Sequence, residues 1–109
     1  VSVRLTWTLA ARQDLLDIYD AIASEPSAAE RMLDRIEASV VLLASQPRMG
    51  VRRRDIRPSL RMLVERPYLI LYRTEPDTDE GPVRKVEIVR NVEIVRVVDG
   101  RRDLNALIA

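Results

Sequence analysis

Few side chains in this sequence are able to move protons or hold a metal. The 109-residue chain has no histidine and no cysteine, which removes the commonest general base, the commonest zinc ligand and any thiolate site. Carboxylates remain, but nothing in their spacing gathers them around a metal, so neither a metal nor another cofactor is expected. Cleaving RNA through its 2′-oxygen needs a proton acceptor, a proton donor and positive charge on the scissile phosphate. The conceivable pieces are Arg61, Arg73, Tyr68 and Tyr72, beside a sole lysine, Lys85, and a tail from Leu104 to Ala109 with neither tyrosine nor an ionisable side chain. That set is poor. Arginines on strand edges and tyrosines in a core are the simpler reading, and no catalytic residue is assigned.

The arginines are unevenly spread. Net charge is +1, yet up to Pro47 there are four Arg against seven acids, from Arg48 to Arg73 eight Arg against two, and thereafter six basic residues against eight acids. Clustered guanidinium groups between Arg48 and Arg57 would attract phosphates and release counterions. No aromatic residues interleave them for stacking, and Asp55 interrupts the run. A solvated loop facing an acidic protein segment is expected there, and direct nucleic-acid binding is not. Gly100-Arg101-Arg102-Asp103 reads equally as a contact surface or as an Arg–Asp pair fixing the chain after its last strand.

These residues must be carried by a small globular unit. Hydrophobic residues make up 47% and charged ones 32%, the balance of a folded protein, and residues 1–109 fit one domain burying roughly two-thirds of its unfolded surface. No apolar run approaches the roughly 20 residues that span a bilayer, and the opening Val1-Ser2-Val3-Arg4 has no signal-like stretch. A cytoplasmic protein with no membrane partner is expected.

Val3, Leu5 and Trp7 alternate with polar residues as a half-buried strand does, and Thr8 offers a hydroxyl to cap a helix. From Leu9 to about Ala23, Ala11, Leu15, Ile18, Tyr19 and Ile22 recur at helical spacing, while Asp14, Asp17 and Asp20 fall on other faces. Glu25-Pro26 ends that helix. Ser27-Ala28-Ala29-Glu30 has a capping-box pattern, and a stripe of Ala29, Met32, Leu33, Ile36, Val40 and Leu43 runs on to Gln46-Pro47. The short connection makes an antiparallel helical hairpin. Gly50 and Arg52 to Pro58 form a loop; Leu60, Met62 and Val64 alternate as a strand; Arg66-Pro67 breaks it; Tyr68 to Arg73 resumes. Thr74 to Pro82 reads as a solvated loop and Val83 to Val98 as one long strand or two shorter ones. The fold expected is α+β: an N-terminal strand, an antiparallel two-helix hairpin, then a mainly antiparallel twisted sheet of three or four strands.

Val86-Glu87-Ile88-Val89-Arg90 recurs as Val92-Glu93-Ile94-Val95-Arg96. The even offset preserves strand facing, so either copy suits the same sheet position. The second is expected to be the core strand, since it leads into the C-terminal segment, and the first to extend a hairpin arm. Tyr68, Ile70 and Tyr72 share one face and Leu69 and Leu71 the other. Two helices cover only one face, so the other is either closed by loops and tail or left as an apolar binding patch suited to an amphipathic helix and an added edge strand.

Several ordered elements resemble the ParE branch of the ParE/RelE toxin superfamily from about Trp7 to Leu104. They are Trp7-Thr8 with Ala11 and Asp14-Leu15; Ala28-Ala29; Pro47 with Met49-Gly50; Leu60-Arg61 with Leu63; Tyr68, Ile70, Tyr72 and Arg73; and Val92 to Val98 followed by Asp99-Gly100-Arg101-Arg102-Asp103. Family members often carry His at the position of Asp99, so no role is transferred to it. The resemblance implies a type II toxin–antitoxin module, inhibition of DNA gyrase with DNA present, and neutralisation in a heteromeric complex with a ParD-like antitoxin. Antitoxin contacts are expected at Ile18, Ile22, Leu33, Leu63 and Leu69, and target contacts at Arg52, Arg53, Arg101 and Arg102. The alternatives are ribosome-dependent messenger RNA cleavage of the RelE type, for which the chain has no His, no late Tyr and the single Lys85, and an inactive homologue that only binds an antitoxin.

Overall fold

The computed structural model describes residues 3–77 and 89–108. In chain order its elements are β1 (Arg4–Trp7), α1 (Leu9–Ile22), α2 (Pro26–Leu42), β2 (Val51–Arg52), β3 (Arg61–Glu65), β4 (Tyr68–Glu75), β5 (Asn91–Asp99) and α3 (Leu104–Ile108). The five strands are ordered β1-β5-β4-β3-β2. β1 runs parallel to β5 and the remaining neighbours are antiparallel. The α+β class, the helical hairpin and a mainly antiparallel sheet agree with the sequence reading; the sheet is mixed through β1, and one of its strands was not expected. That strand is β2: Val51 and Arg52 pair with Met62 and Arg61, inside what reads as a loop. Two residues are too few for any period to show. β4 also continues through Thr74 and Glu75, past the expected end at Arg73.

The two helices begin differently. Thr8 caps α1 as its hydroxyl accepts from the Ala11 N–H at 3.0 Å. The expected capping box at Ser27 does not form: α2 already starts at Pro26, behind Glu25 with no side-chain cap. Proline suits that first turn because its missing N–H would have had no helical partner and its φ is preset. Pro26 therefore opens the second helix rather than closing the first.

Two apolar clusters hold the layers. Beneath the helices, Ala11, Ile18, Ile36, Val40 and Leu43 meet Ile70, Tyr72, Val92, Ile94 and Val97. On the far side Leu60, Leu71, Val98 and Leu104 pack together, with Ile56, Met62, Leu69 and Val95 against them. The far face is thus closed by the chain before β3 and by the start of α3, the covered alternative of the two the sequence left open. The facing of β5 changes midway. Tyr72 is opposite Ile94 but Leu71 is opposite Arg96, which leaves Val95 as an extra residue, a bulge. Ile94 and Val97 consequently both face the helices although three positions apart.

The second VEIVR copy is the strand, as expected. Of the first copy, Val86 to Ile88 and the proposed hairpin arm lie outside the described residues. The copies do not face alike: Val89 is buried on the helix side, whereas its counterpart Val95 packs on the far side. The even-offset argument fails because it assumes an unbroken pleat.

Where β1 ends, side chains take over its hydrogen bonds. Thr8 N–H reaches the Ile94 carbonyl at 3.0 Å, and the Thr8 hydroxyl donates to the Val95 carbonyl at 2.7 Å. Asp14 then accepts from the Val97 N–H at 2.9 Å and from Arg96 Nε at 2.8 Å and its terminal nitrogen at 2.9 Å. The sequence reading put Asp14 on a face other than the apolar one, yet it is 7% exposed. Its position is one helical turn from both Ala11 and Ile18, so it borders the buried stripe. This carboxylate also raises the pKa of Arg96, through its hydrogen bond first, against burial. Removing one partner of a buried pair costs about 3–5 kcal/mol. Arg96 keeps partial access to water, so Asp14→Ala is expected near the lower end, about 3 kcal/mol, measured by urea unfolding with Arg96→Ala and the double variant as a cycle.

Candidate functional site

The feature of the sheet most open to a partner is its β1 edge. Parallel pairing to β5 takes the N–H groups of Arg4 and Thr8. By alternation those of Leu5 and Trp7 point away from the sheet, and among the described residues no strand pairs with that side. Val3, Leu5 and Trp7 lie half-buried at the margin of the helix-side core. Along them run two open hollows. One, of about 350 Å³, lies between Leu5, Trp7, Arg12, Leu15, Glu37 and Val41. The other, of about 440 Å³, has Val3 and Val89 on one side and the chain from Ala44 to Met49 on the other. Both are mainly apolar, and the nearby Leu9, Leu16 and Val41 are 84%, 60% and 61% exposed. Together they make a trough beside the outer edge of that strand.

None of the five expected antitoxin contacts lines these hollows. Ile18 is inside the helix-side core, and Ile22, Leu33 and Leu63 pack against it half-buried. Leu69 is on the opposite face of the sheet, in the far cluster. The structure therefore does not bring the five onto one surface. The residues it does bring together, above all Leu5, Trp7, Val41 and Met49, were not singled out as contacts. One signal for them was present: Val40-Val41-Leu42-Leu43 is more apolar than one helical face can bury.

Of the expected target contacts, three arginines are held by neighbouring carboxylates. Arg52 grips Asp77 through both terminal nitrogens, at 2.8 and 3.3 Å, and Arg53 grips Asp55 at 2.7 and 2.8 Å. Arg101 binds Asp99. Arg102 is exposed and borders a polar cleft of about 260 Å³ with Asp14, Asp17, Tyr68 and Asp99. Burial, then the charge of Asp99, pushes the Tyr68 phenol above its ordinary value.

The residues weighed for RNA cleavage are distributed as follows. Arg73 is exposed and pairs with Glu93 at 2.7 Å. Arg61 and Tyr72 are buried. The Tyr72 hydroxyl accepts from the Gly50 N–H at 2.8 Å and donates to the Pro47 carbonyl at 2.9 Å. A terminal nitrogen of Arg61 donates to the Arg48 and Gly50 carbonyls at 3.3 and 3.1 Å. Burial pushes the Tyr72 phenol up, offset in part by the Gly50 N–H and the Arg61 charge. Among the described residues no group of acids is placed to hold a metal ion, and no helix is long and apolar enough to cross a membrane.

A two-layer α+β domain with an open edge strand beside an apolar trough is a framework for binding another protein segment. The sequence matches the ParE toxin of type II toxin–antitoxin system, parDE, over residues 5–104, and the chain belongs to that family. Toxin ParE3 of Caulobacter vibrioides is 35% identical over 78 residues, covering 72% of this chain and 65% of that protein, just under two thirds of its length. A structure described as the chromosomal ParDE TA system from P. aeruginosa superposes with a TM-score of 0.65 at 26% identity, over 89% of this chain and 95% of that one.

The Asp99–Arg101 pair yields a pH signature. The Arg101 side chain, then its backbone N–H, lowers Asp99 from 3.8 to about 2. Because the folded value is the lower one, the pair's contribution is complete above the ordinary carboxylate pKa and fades as pH falls toward about 2. Carboxyl carbon NMR should follow Asp99 titrating near pH 2 in the native chain and moving up toward the ordinary value in Arg101→Gln.

Proposed function

We propose that this chain is the toxin of a type II toxin–antitoxin pair, acting in the cytoplasm by binding DNA gyrase without catalysis of its own, and that a ParD-like antitoxin neutralises it in a heteromeric complex. The observation that carries the antitoxin half is the trough along β1. An extended segment adding to the free edge would gain main-chain hydrogen bonds from Leu5 and Trp7 and place alternate apolar side chains in the two hollows. A helix continuing from it would meet the exposed Leu16 and Val41. Gyrase as the target rests on the family resemblance. The shortage of side chains able to move a proton supports a binding mechanism over chemistry. For target contact the geometry favours Arg102, since Arg52, Arg53 and Arg101 would first have to leave their carboxylates.

Purified gyrase tests the target directly. Inhibited supercoiling with accumulated cleaved DNA, reversed by antitoxin, is expected. Unchanged gyrase at concentrations where antitoxin still binds would overturn the target assignment, and primer extension on translated messages would then look for RNA cleavage. For the docking surface, Val41→Glu should leave the melting temperature within about 4 °C, since the side chain is 61% exposed and ordinary surface changes stay within about 0.5 kcal/mol. Calorimetric titration should show antitoxin affinity at least about tenfold weaker, about 1.4 kcal/mol.

A further inference from the structure

We infer that Tyr72 and Arg61 are positioning residues for the trough: from inside the core they hold the Pro47–Gly50 segment that forms one of its walls, and so set how readily a partner docks. The inference rests on the trough being the antitoxin's site.

The wall needs such support. α2 ends at Leu42 and β2 starts at Val51, so the chain between them has neither a continuous helix nor a ladder to fix its peptides. Turn hydrogen bonds hold its first part, the last being Met49 N–H to the Gln46 carbonyl at 3.1 Å. Beyond that, the Tyr72 hydroxyl uses its donor on Pro47 and its acceptor on Gly50, bridging the segment end to end. Arg61 adds two donations to the Arg48 and Gly50 carbonyls. Pro47, Arg48 and Met49 line the larger hollow, so the same peptides that these side chains grip on one side face the trough on the other.

Gly50 completes the device. A Cβ there would lie 2.5 Å from the Tyr72 hydroxyl and 2.9 Å from the Met62 carbonyl, so only glycine lets the phenol reach its N–H. The phenol is protonated near neutrality even at its ordinary value, and burial pushes it further up, so both hydrogen bonds are available.

A partner meeting a fixed wall does not have to order it. If the wall is released, only the fraction of molecules with the wall in place is competent, and apparent affinity falls by that fraction. Tyr72→Phe keeps the ring in the core and deletes only the hydroxyl. Hydrogen exchange of the free protein should show the Arg48, Met49 and Gly50 amides at least tenfold less protected, while surface plasmon resonance with a ParD-like antitoxin shows about tenfold weaker binding, mostly through slower association. Val97→Ala serves as control: it destabilises the core but lies away from the wall, and should leave local exchange and association as in the native chain. Arg61→Lys gives a second variant should Tyr72→Phe fail to fold by circular dichroism, with the same changes expected in smaller measure. Unaltered wall exchange in the folded variant, or released exchange with native association, would overturn the inference. If the native chain fails to bind antitoxin, the docking reading falls and the inference falls with it, whereas exchange still reports whether the latch holds the wall.

Discussion

Three hydrogen bonds converge on the carboxylate of Asp14 from a single stretch of β5, and the rest of the molecule is arranged around that junction. β1 pairs with β5 only as far as Trp7 opposite Ile94. One residue later the chain turns into α1, and β5 is left with a carbonyl and an N–H that have lost their strand. An orphaned main-chain group costs about as much as a lost hydrogen bond. Thr8 and Asp14 answer the two groups in turn, so the first two turns of the helix substitute for the missing strand. The helix is thereby pinned over β5, α2 follows it across the sheet, and β1 is left uncovered at the margin.

Arg61 and Tyr72 belong to the same economy of buried polar groups. Irregular chain inside a small domain must find partners for its peptides, and here they come from side chains projecting out of two adjacent antiparallel strands, opposite one another in register. Most arginines for which partners are described serve internal purposes in the same way. They grip carboxylates on another element or two residues along the chain, and the excess positive charge of the central segment is in good part spoken for within the fold.

How far the sequence disclosed this arrangement depended on whether the information was local. Thr8 before Leu9 is a local signal, as are the apolar stripes of both helices and the turn at Arg66-Pro67, and those elements stand where they were expected. Ser27 misled because a proline one position earlier starts a helix without needing a cap. β2 escaped notice for its brevity. Asp14 and the bulge at Val95 are of another kind, since an acid next to an apolar stripe reads as solvent-facing until a partner arrives from 82 residues away in the chain. The trough beside β1 was hidden from the sequence reading for the same reason. Which hydrophobic residues remain uncovered depends on β1 pairing with β5, a long-range fact. The residues chosen as contacts were those of the strongest periodicity, and strong periodicity marks what the fold buries for itself.

The two margins of the sheet differ in how they are guarded. At one, β2 is two residues long and leads into an arginine-rich loop with Pro58, features that discourage another strand from adding. At the other, β1 offers peptides that no strand among the described residues pairs, flanked by valine, leucine and tryptophan, with Arg4 its only charge. Such a margin does not distinguish a cognate segment from any other sticky strand in a crowded cell. Solubility of the lone chain, its tendency to aggregate and its lifetime against proteases are therefore tied to whether that margin is occupied.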